Sequence, residues 1–565
     1  MASPLVVEVL LVVLPVVLLL QLSCCLGMAA RDTEPIVSTT LGRIQGGTMK
    51  SFSNKTIYAF RGIPYAQPPL AELRFMPPQP IHAWGNATLK ATSDSLICPQ
   101  SGIKSLMSED CLKLNVYTKN VTGSLPVIVY IHGGANVLGS GHSEYEAGPE
   151  YLLEHDLVMV AFNYRLGALG FLGGSNNAYL DQIMALEWVQ AHISSFGGDP
   201  ARVTLLGLSA GAMAVSLHLA SPLSSGLFHG AILMSGSATN HFSIHNEFWT
   251  RILARHLGCP LYDSYDMTEC LRNASWQSII DVCSDWEQYK FINMKWNYEI
   301  DRYFLPNHPS TLIDKGTFNR VPLMVSYTAN ELDFTTLGHL EKELLLHDIM
   351  SHFHDWAPEL FLFDYNVGKS RRLKNFYLGR DADELNATNI ERFGQIFSDG
   401  IIGHGVHRLV QLARKHTKVY YSRMDYIGQR SVSAPMNEHN LPSGVGHADD
   451  WQYVMPSLWY GSILSPGHRD LFMMERLTGW MAHFAHTGEP LQNSSIYWPP
   501  CTAAQMQMLY NDNVTKLGPP DFVDRYRVWD ELFPTPHSDG AARRPLQLAF
   551  VVAVALLSGL FSKLM

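Results

Sequence analysis

Positive charge is scarce in this sequence: 41 lysines and arginines stand against 51 aspartates and glutamates, for a formal net charge of -10. Binding to nucleic acid phosphates needs a basic surface, so this balance argues against a nucleic-acid partner. The middle of the chain also lacks a proline- or serine-rich linker, an internal repeat and a low-complexity tract. Because nothing divides it, we expect one large domain with insertions, over residues 30–540.

Cysteine is sparse, with eight residues in the whole chain and two of them within the first 30 positions. Residues 30–565 contain no C-x-x-C motif, which argues against a cysteine metal site. In an oxidising compartment we expect the cysteines that lie close together to pair. The expected disulfides are Cys98–Cys111 and Cys259–Cys270. The sequence leaves the state of two others open, Cys283 and Cys501.

Both ends of the chain resemble targeting segments. The apolar stretch at 5–20, interrupted only by Glu8, resembles a secretory signal peptide, which we assign to residues 1–29. Near the other end, small residues and a short polar spacer precede an apolar run at 548–561, shorter than the roughly 20 residues that span a bilayer as a helix. This layout is typical of a GPI-attachment signal, assigned to 541–565, with a single-pass anchor as the alternative.

Seven N-x-S/T sequons predict N-glycosylation, and together with the terminal segments they indicate a protein of the secretory pathway. We expect it to be secreted or held at the extracellular face of the plasma membrane. The sequon asparagines are Asn54, Asn86, Asn120, Asn273, Asn386, Asn493 and Asn513.

Apolar runs alternate with helical spacing between residues 126 and 236, as in α/β proteins. The predicted elements here are buried strands at 126–134, 157–167 and 230–236 and a helix at 178–196.

The motif G-x-S-x-G, in VTLLGLSAGAMAV at 203–215, places Ser209 between a predicted strand and a helix expected from Ala210 to about Ala220. In this strand–turn–helix context a strained turn exposes a nucleophilic serine. A serine hydroxyl needs a base to take its proton, and the base needs a carboxylate to hold its tautomer. With 24 histidines in the chain, the motif alone does not identify the base.

Further sequence blocks indicate the family to which this motif belongs. They are YAFRGIPYAQPPLAELRFMPPQP (58–80), SEDCLKLNVYT (108–118), NYRLGALGFL (163–172), residues 181–212 and SPLSSGLFHGAILMSGS (221–237). In content and order they closely resemble the type-B carboxylesterase and cholinesterase family, over about residues 35–535. The resemblance implies the α/β-hydrolase fold: a large, mostly parallel central sheet flanked by helices, with helical insertions around a gorge. It also implies a serine esterase with a small-molecule ester substrate and neither cofactor nor metal.

The resemblance assigns a catalytic triad and an oxyanion hole. The acid lies in PLMVSYTANEL (322–332), just after the strand in that segment, and the base lies in SGVGHADDWQYVM (443–455). The triad positions are Ser209, Glu331 and His447, with Asp333 as a less favoured alternative acid. The implied oxyanion donors are the backbone N–H groups of Gly134, Ala135 and Ala210.

The chain departs from the family pattern beside these residues. Leu208 replaces a glutamate, Ala135 a glycine, Asn136 an aromatic residue and Leu332 a glycine. Because the loop 99–110 also lacks an aromatic face for a quaternary ammonium, choline esters are disfavoured. An uncharged ester with an apolar acyl chain is favoured, with hormone or pheromone esters of the insect-type branch included.

The same departures motivate two alternative functions. One is a binding or adhesion ectodomain that keeps the fold without useful turnover, and the other is a scavenger that acylates quickly and deacylates slowly.

Two other features have competing interpretations. His404 and His407 have helical spacing, and we interpret them as structural rather than metal-binding, because no acidic partner is evident in the sequence. The aromatic-rich stretch at 276–304 predicts either gorge lining or packing of an inserted helical region.

Overall fold

The computed structural model describes residues 34–286, 295–333, 346–380, 382, 384–385, 389–431, 444–490 and 496–536. The expected signal peptide, the C-terminal tail and the sequons at Asn386 and Asn493 lie outside these residues. Within these ranges, no helix has both the length and the apolar character needed to cross a membrane.

A mixed sheet of 13 strands runs through the molecule. Its strands lie in the order β1-β2-β3-β5-β7-β6-β8-β9-β10-β11-β12-β13, and β4 pairs with β2. The strands are β1 Ile36–Thr39, β2 Gly42–Lys50, β3 Thr56–Pro64, β4 Gly85–Ala91, β5 Lys113–Thr118, β6 Leu125–Ile131, β7 Val158–Phe162, β8 Gly198–Leu208, β9 Gly230–Met234, β10 Leu323–Thr328, β11 Val419–Met424, β12 Met508–Asn511 and β13 Lys516–Gly518.

Helices cover both faces of this sheet and form its insertions. They are α1 Gly167–Phe171, α2 Asn177–His192, α3 Ala210–Ala220, α4 Asn246–His256, α5 Ser264–Asn273, α6 Trp276–Trp286, α7 Pro309–Asp314, α8 Leu346–Ser351, α9 Phe353–Leu360, α10 Val367–Tyr377, α11 Ile390–Phe397, α12 His404–Ala413, α13 Leu471–Thr487 and α14 Val523–Leu532. The helical insertions lie between β9 and β10 and between β10 and β11.

The strands from β7 to β12 are parallel, and the central ones are buried on both faces. In β6, Val127, Val129 and Ile131 pack into one core cluster, while Ile128 and Tyr130 pack into the cluster on the opposite face. Burial on both faces is why these segments read as continuous apolar runs rather than as alternating patterns.

The predicted elements of the region 126–236 are confirmed, with small differences at their ends. α3 has the predicted bounds, whereas β8 begins at Gly198, ahead of the predicted start at 203. The helix predicted at 178–196 is α2 followed by a short 3-10 turn. The expected α/β-hydrolase architecture, a mostly parallel sheet flanked by helices, is therefore present.

The parallel strands change their direction of winding between β6 and β8. From β6 the chain moves to β7 on one side, and from β8 it moves to β9 on the other. Loops at the carboxyl ends of two such strands separate and leave a crevice, which is where open α/β sheets bind ligands. The loop after β6 and the turn bearing Ser209 after β8 flank this crevice.

Both expected disulfides are present, Cys98–Cys111 and Cys259–Cys270. Cys283 and Cys501 are buried, and among the described cysteines no disulfide joins these two. Structural disulfides fit an oxidising compartment.

Candidate active site

Ser209 occupies a sharp turn between β8 and α3. β8 ends at Leu208 and α3 begins at Ala210, so a single residue makes the change of direction. Its φ of 58° and ψ of -124° are rarely adopted by residues other than glycine, at a cost of about 1–3 kcal/mol. The Ser209 N–H donates to the Met234 carbonyl at 2.8 Å, and the Ser209 carbonyl accepts from the Met213 N–H at 3.0 Å. These contacts hold the strained turn in place.

The glycines around this turn are required by backbone packing. A Cβ atom on Gly207 would overlap the Gly211 carbonyl oxygen, and a Cβ atom on Gly211 would overlap the Ile131 carbonyl oxygen. A Cβ atom on Gly236 would likewise overlap the Ser209 carbonyl oxygen. The glycines of the motif therefore allow β6, β8 and α3 to meet at the serine.

The loop after β6, residues 132–140, passes beside the serine, and we call it the glycine loop. A Cβ atom placed on Gly133 would lie 3.2 Å from the Ser209 Cβ. The backbone N–H groups of Gly134, Ala135 and Ala210 form no hydrogen bond to another described residue, and the same holds for that of Asn136. The Ala210 N–H also lies at the N-terminus of α3, where the helix dipole favours negative charge.

Two consecutive residues of the glycine loop have positive φ without being glycine: Ala135 at 54° and Asn136 at 63°. Asn136 is fully buried, and its Nδ2 donates to the Tyr179 hydroxyl at 3.3 Å and to the Trp296 carbonyl at 3.2 Å. Asparagine tolerates this conformation better than most residues. Asn136, in place of the aromatic residue that the family resemblance implies, thus stabilises the loop through its side-chain hydrogen bonds.

Gln100 is a loop contact that sequence reasoning missed. Its side-chain Oε1 accepts from the Gly139 N–H at 2.9 Å, and its Nε2 donates to the Gly139 carbonyl at 3.0 Å. Gln100 lies between Cys98 and Cys111, so the loop closed by the first disulfide is hydrogen-bonded to the end of the glycine loop. No periodicity or motif in the sequence connects residues so far apart.

Glu331 and His447 meet at the same edge of the sheet, beyond β10. The His447 Nδ1 lies 2.5 Å from the Glu331 Oε2, and the His447 N–H donates to the Glu331 carbonyl at 2.7 Å. The Thr328 N–H donates to the Glu331 Oε1 at 2.8 Å. The Glu331 side chain is 1% exposed and that of His447 is 23% exposed, so the carboxylate is buried behind an accessible imidazole.

The effect of neighbouring charges on the pKa of His447 outweighs the effect of its burial. Burial alone lowers the pKa of His447, but the Glu331 carboxylate and its hydrogen bond raise that pKa above the ordinary value. The neighbouring Asp450 is also buried, and burial together with the Glu331 charge raises the pKa of Asp450 to about 7. A carboxylate at Glu331 stabilises the protonated imidazole, as general-base chemistry requires.

Asp333, the alternative acid, faces a different partner. Its Oδ1 accepts from the Ser398 hydroxyl, and its Oδ2 accepts from the Asn330 Nδ2 at 3.0 Å. Burial raises the pKa of Asp333 to about 6. Of the two acids, only Glu331 contacts His447 through its side chain.

Ser209 and His447 share the sheet edge but are not hydrogen-bonded to each other in this structure. No hydrogen bond involving the Ser209 hydroxyl is recorded within the described part of the chain. In ligand-free enzymes such bonds are commonly long and tighten when substrate binds.

Leu208, next to the serine, is 1% exposed and belongs to an apolar cluster with Met234, Val445 and Trp451. Position 208, where the family resemblance implies a glutamate, is therefore occupied by a packed apolar side chain. No carboxylate from this position faces the site.

His404 has an acidic partner, contrary to the expectation from sequence. Its Nε2 lies 3.0 Å from the Asp530 Oδ1, which also accepts from the Arg408 guanidinium at 2.8 Å. Burial lowers the pKa of His404 to about 4 and that of His407 to about 3, so both imidazoles are neutral. Across the described ranges, no three His, Cys, Asp or Glu side chains are placed to hold a metal ion.

The aromatic stretch 276–304 supplies core packing in its described part. Trp296 and Tyr298 are each 1–2% exposed, and the Trp296 carbonyl braces the glycine loop through Asn136. Residues 287–294 of this stretch lie outside the described residues.

A serine on a strained strand-to-helix turn, at the switch point of a mostly parallel sheet, is the arrangement of α/β-hydrolases. The chain belongs to the carboxylesterase family, since the model of that family matches residues 33–525. It is accordingly a carboxylic ester hydrolase.

Individual relatives agree with this placement. Esterase FE4 of Myzus persicae is 34% identical over 519 residues, which cover 86% of this chain and 89% of that protein. Juvenile hormone esterase of Tribolium castaneum is 31% identical over 517 residues, covering 83% and 86%. The crystal structure of juvenile hormone esterase from Manduca sexta, with OTFP covalently attached, superposes with a TM-score of 0.78 at 26% identity, covering 88% of this chain and 99% of that one.

Proposed function

We propose that Ser209, His447 and Glu331 form the catalytic triad of an esterase that hydrolyses uncharged esters with apolar acyl chains. The observation that carries this proposal is the Glu331–His447 hydrogen bond at the sheet edge where the strained Ser209 turn also lies. Their order along the chain, serine, acid and histidine, is that of α/β-hydrolases.

In the proposed reaction, the Ser209 hydroxyl oxygen attacks the ester carbonyl carbon while His447 takes the hydroxyl proton. The Glu331 carboxylate stabilises the resulting imidazolium. The N–H groups of Gly134, Ala135 and Ala210 donate to the oxyanion of the tetrahedral intermediate.

The intermediate collapses as the bond to the alkoxy group breaks, and His447 gives its proton to the departing alcohol. Water then attacks the acyl-serine, with His447 again acting as base. This second half releases the carboxylic acid and restores the free hydroxyl.

The proposed substrate class follows from the lack of a carboxylate at position 208 and of an aromatic side chain in the Cys98–Cys111 loop. Leu208 is packed in an apolar cluster, and the Cys98–Cys111 loop offers no aromatic face to a cation. Esters with neutral, apolar acyl chains therefore fit better than choline esters. Juvenile hormone esterases are among the relatives, and hydrophobic hormone esters belong to the proposed class.

We also propose an extracellular location, through the signal peptide at residues 1–29 and a GPI-attachment signal at 541–565. The two disulfides support export to an oxidising compartment. Release from whole cells by phosphatidylinositol-specific phospholipase C tests the anchor, because a single-pass anchor would resist that enzyme.

A fluorophosphonate probe and a panel of p-nitrophenyl esters of increasing acyl length test the reaction. We expect labelling and turnover in the wild type, with loss of both in Ser209→Ala. Retained labelling in Ser209→Ala would refute the assignment of the nucleophile. A folded wild type that reacts with neither reagent would favour the binding-ectodomain alternative, and a burst without turnover would favour the scavenger.

A further inference from the structure

Glu146 is a buried acid that contacts the glycine loop and lies outside the proposed triad. It is 1% exposed, and its Oε2 accepts from the Ser140 N–H at 2.8 Å. Its Oε1 accepts from the Tyr130 hydroxyl at 3.0 Å. Since Tyr130 belongs to β6 and Ser140 closes the glycine loop, one carboxylate joins the strand before the loop to the residue at its end.

Glu146 also contacts the segment that carries His447, through its backbone carbonyl. The Trp451 Nε1–H donates to the Glu146 carbonyl at 3.4 Å. The Tyr130 ring stacks on the Trp451 ring, with centroids 4.8 Å apart and planes 29° apart. Trp451 follows His447 by four positions and its N–H donates to the Ala448 carbonyl at 3.0 Å, so the contact is to the histidine-bearing segment.

Among the described residues, no lysine or arginine forms an ion pair with Glu146. Burial raises the pKa of Glu146 to about 7, while the Ser140 N–H, the Tyr130 hydroxyl and the Gly133 N–H favour its charged form. In the described part of the chain, the phenols of Tyr130, Tyr164 and Tyr460 interact electrostatically with Glu146. Burial raises the pKa of each phenol, so all three are neutral around pH 7.

We propose that Glu146 is a positioning residue that couples the glycine loop to the His447 segment and so aligns the oxyanion donors with the general base. The inference rests on the proposed function, because it assigns the loop to the oxyanion hole. A loop that contains two strained non-glycine residues needs such a restraint, since the strained conformation persists only where its surroundings impose it.

The carboxylate form accepts from both the loop amide and the tyrosine hydroxyl, whereas the protonated form loses acceptor capacity. Below neutral pH, protonation of Glu146 then loosens the loop at the same time as protonation of His447 removes the base. We expect the acid limb of kcat/KM in the wild type to fall more steeply than uptake of one proton allows.

The test compares Glu146→Gln with Asp470→Asn. Asp470 is the control, because this buried carboxylate also accepts from tyrosine hydroxyls (Tyr426, 2.7 Å; Tyr453, 3.1 Å) and a backbone N–H (Gln429, 2.8 Å), and it also pairs with Arg469 at 3.2 Å, but among the described residues it does not contact the glycine loop. The measurements are kcat and KM for p-nitrophenyl butyrate, the pH profile, the thermal midpoint, and inhibition by a trifluoromethyl ketone, which forms a tetrahedral adduct with a serine.

For Glu146→Gln we expect kcat and ketone affinity to fall together, on the order of 10- to 100-fold, with little change in KM and a one-proton acid limb. Asp470→Asn should lower the thermal midpoint without these effects. Should Glu146→Gln fail to fold, Tyr130→Phe removes only one hydroxyl and should show the same joint loss to a smaller degree.

The coupling is refuted if the variant that folds keeps kcat and ketone affinity within twofold of the wild type, or loses no more than Asp470→Asn does. This failure is distinct from failure of the proposed function. If Ser209→Ala stays active, the triad assignment is wrong, whereas an inactive Ser209→Ala beside an unaffected Glu146→Gln refutes the coupling alone.

Discussion

Glu331 and Asp333 stand two positions apart after β10, yet they contact different partners. The Glu331 carboxylate lies against His447, and Asp333 binds Ser398 and Asn330. The family resemblance places the acid at Glu331, and chain order alone leaves both acids open. The structure separates them because the chain turns at Asn330, whose N–H donates to the Val445 carbonyl and brings the histidine segment to Glu331.

The pH profile of Glu331→Gln tests this difference. In the wild type, the Glu331 carboxylate raises the pKa of His447, so activity should appear as pH rises through a value above 6.5. Without the Glu331 carboxylate, burial lowers that pKa against only the weaker effects of the Asp450 and Asp449 charges, so the acid limb should move to lower pH. The plateau kcat should fall on the order of 10⁴-fold, because the imidazole loses its tautomer and its counter-charge.

Asp333→Asn is the control for that experiment. It removes a buried carboxylate of the same loop without touching the His447 side chain, so stability should change while the pH of the acid limb stays within about 0.3 units of the wild type. An acid limb that moves in Asp333→Asn and not in Glu331→Gln would reverse the assignment of the acid.

At the scale of elements, the strands and helices of residues 126–236 follow from sequence because their patterns are local. The apolar runs predict β6, β7 and β9, and the small-residue run after Ser209 predicts α3 with its observed bounds. The restraints on the glycine loop do not follow in this way. Gln100 and Glu146 act through backbone groups of other segments, and such contacts leave no periodic signal in a single sequence.

The strained backbone of the glycine loop at Ala135 can be tested by substitution. Ala135 has a φ of 54°, which alanine tolerates at a cost of about 1–2 kcal/mol and which a β-branched residue strongly resists. Ala135→Gly should keep its backbone N–H in place, with kcat unchanged within threefold and unfolding free energy changed by less than about 1 kcal/mol, since relief of strain offsets the added chain entropy.

Ala135→Val is the matched opposite of that change. It should lower kcat on the order of 100-fold, the effect of displacing one oxyanion donor. Equal kcat values in the two variants, both measured on folded protein at the same temperature, would show that the loop backbone does not donate to the oxyanion.

In the whole molecule, the order of the strands determines which edge of the sheet holds the candidate active site. The change of direction between β6 and β8 brings together the glycine loop and the Ser209 turn, and the parallel strands β9 and β10 bring Glu331 to the same edge. Strand order is a long-range property, so the sequence predicts it only through the family resemblance. The local G-x-S-x-G motif identifies one of the three proposed triad positions.

The predicted glycosylation sites that the structure describes lie on the surface of the molecule. Five sequon asparagines lie within the described residues, and all five are exposed: Asn54, Asn86, Asn120, Asn273 and Asn513. Asn120 is the clearest case, because its Oδ1 accepts from the Thr122 N–H at 3.0 Å and from the Thr122 hydroxyl at 2.9 Å, which presents the amide on an exposed turn.

Expressed through the secretory pathway, the protein should lose apparent mass on treatment with peptide N-glycosidase. Asn120→Gln and Thr122→Ala should each remove one glycan, because both destroy the same sequon. Thr122→Ser keeps the sequon and the hydroxyl, so its mass should match that of the wild type. If all three variants co-migrate with the wild type before and after the enzyme, position 120 is not modified. If the wild type itself shows no shift, the predicted export through the secretory pathway is wrong, because seven sequons would have passed through it unmodified.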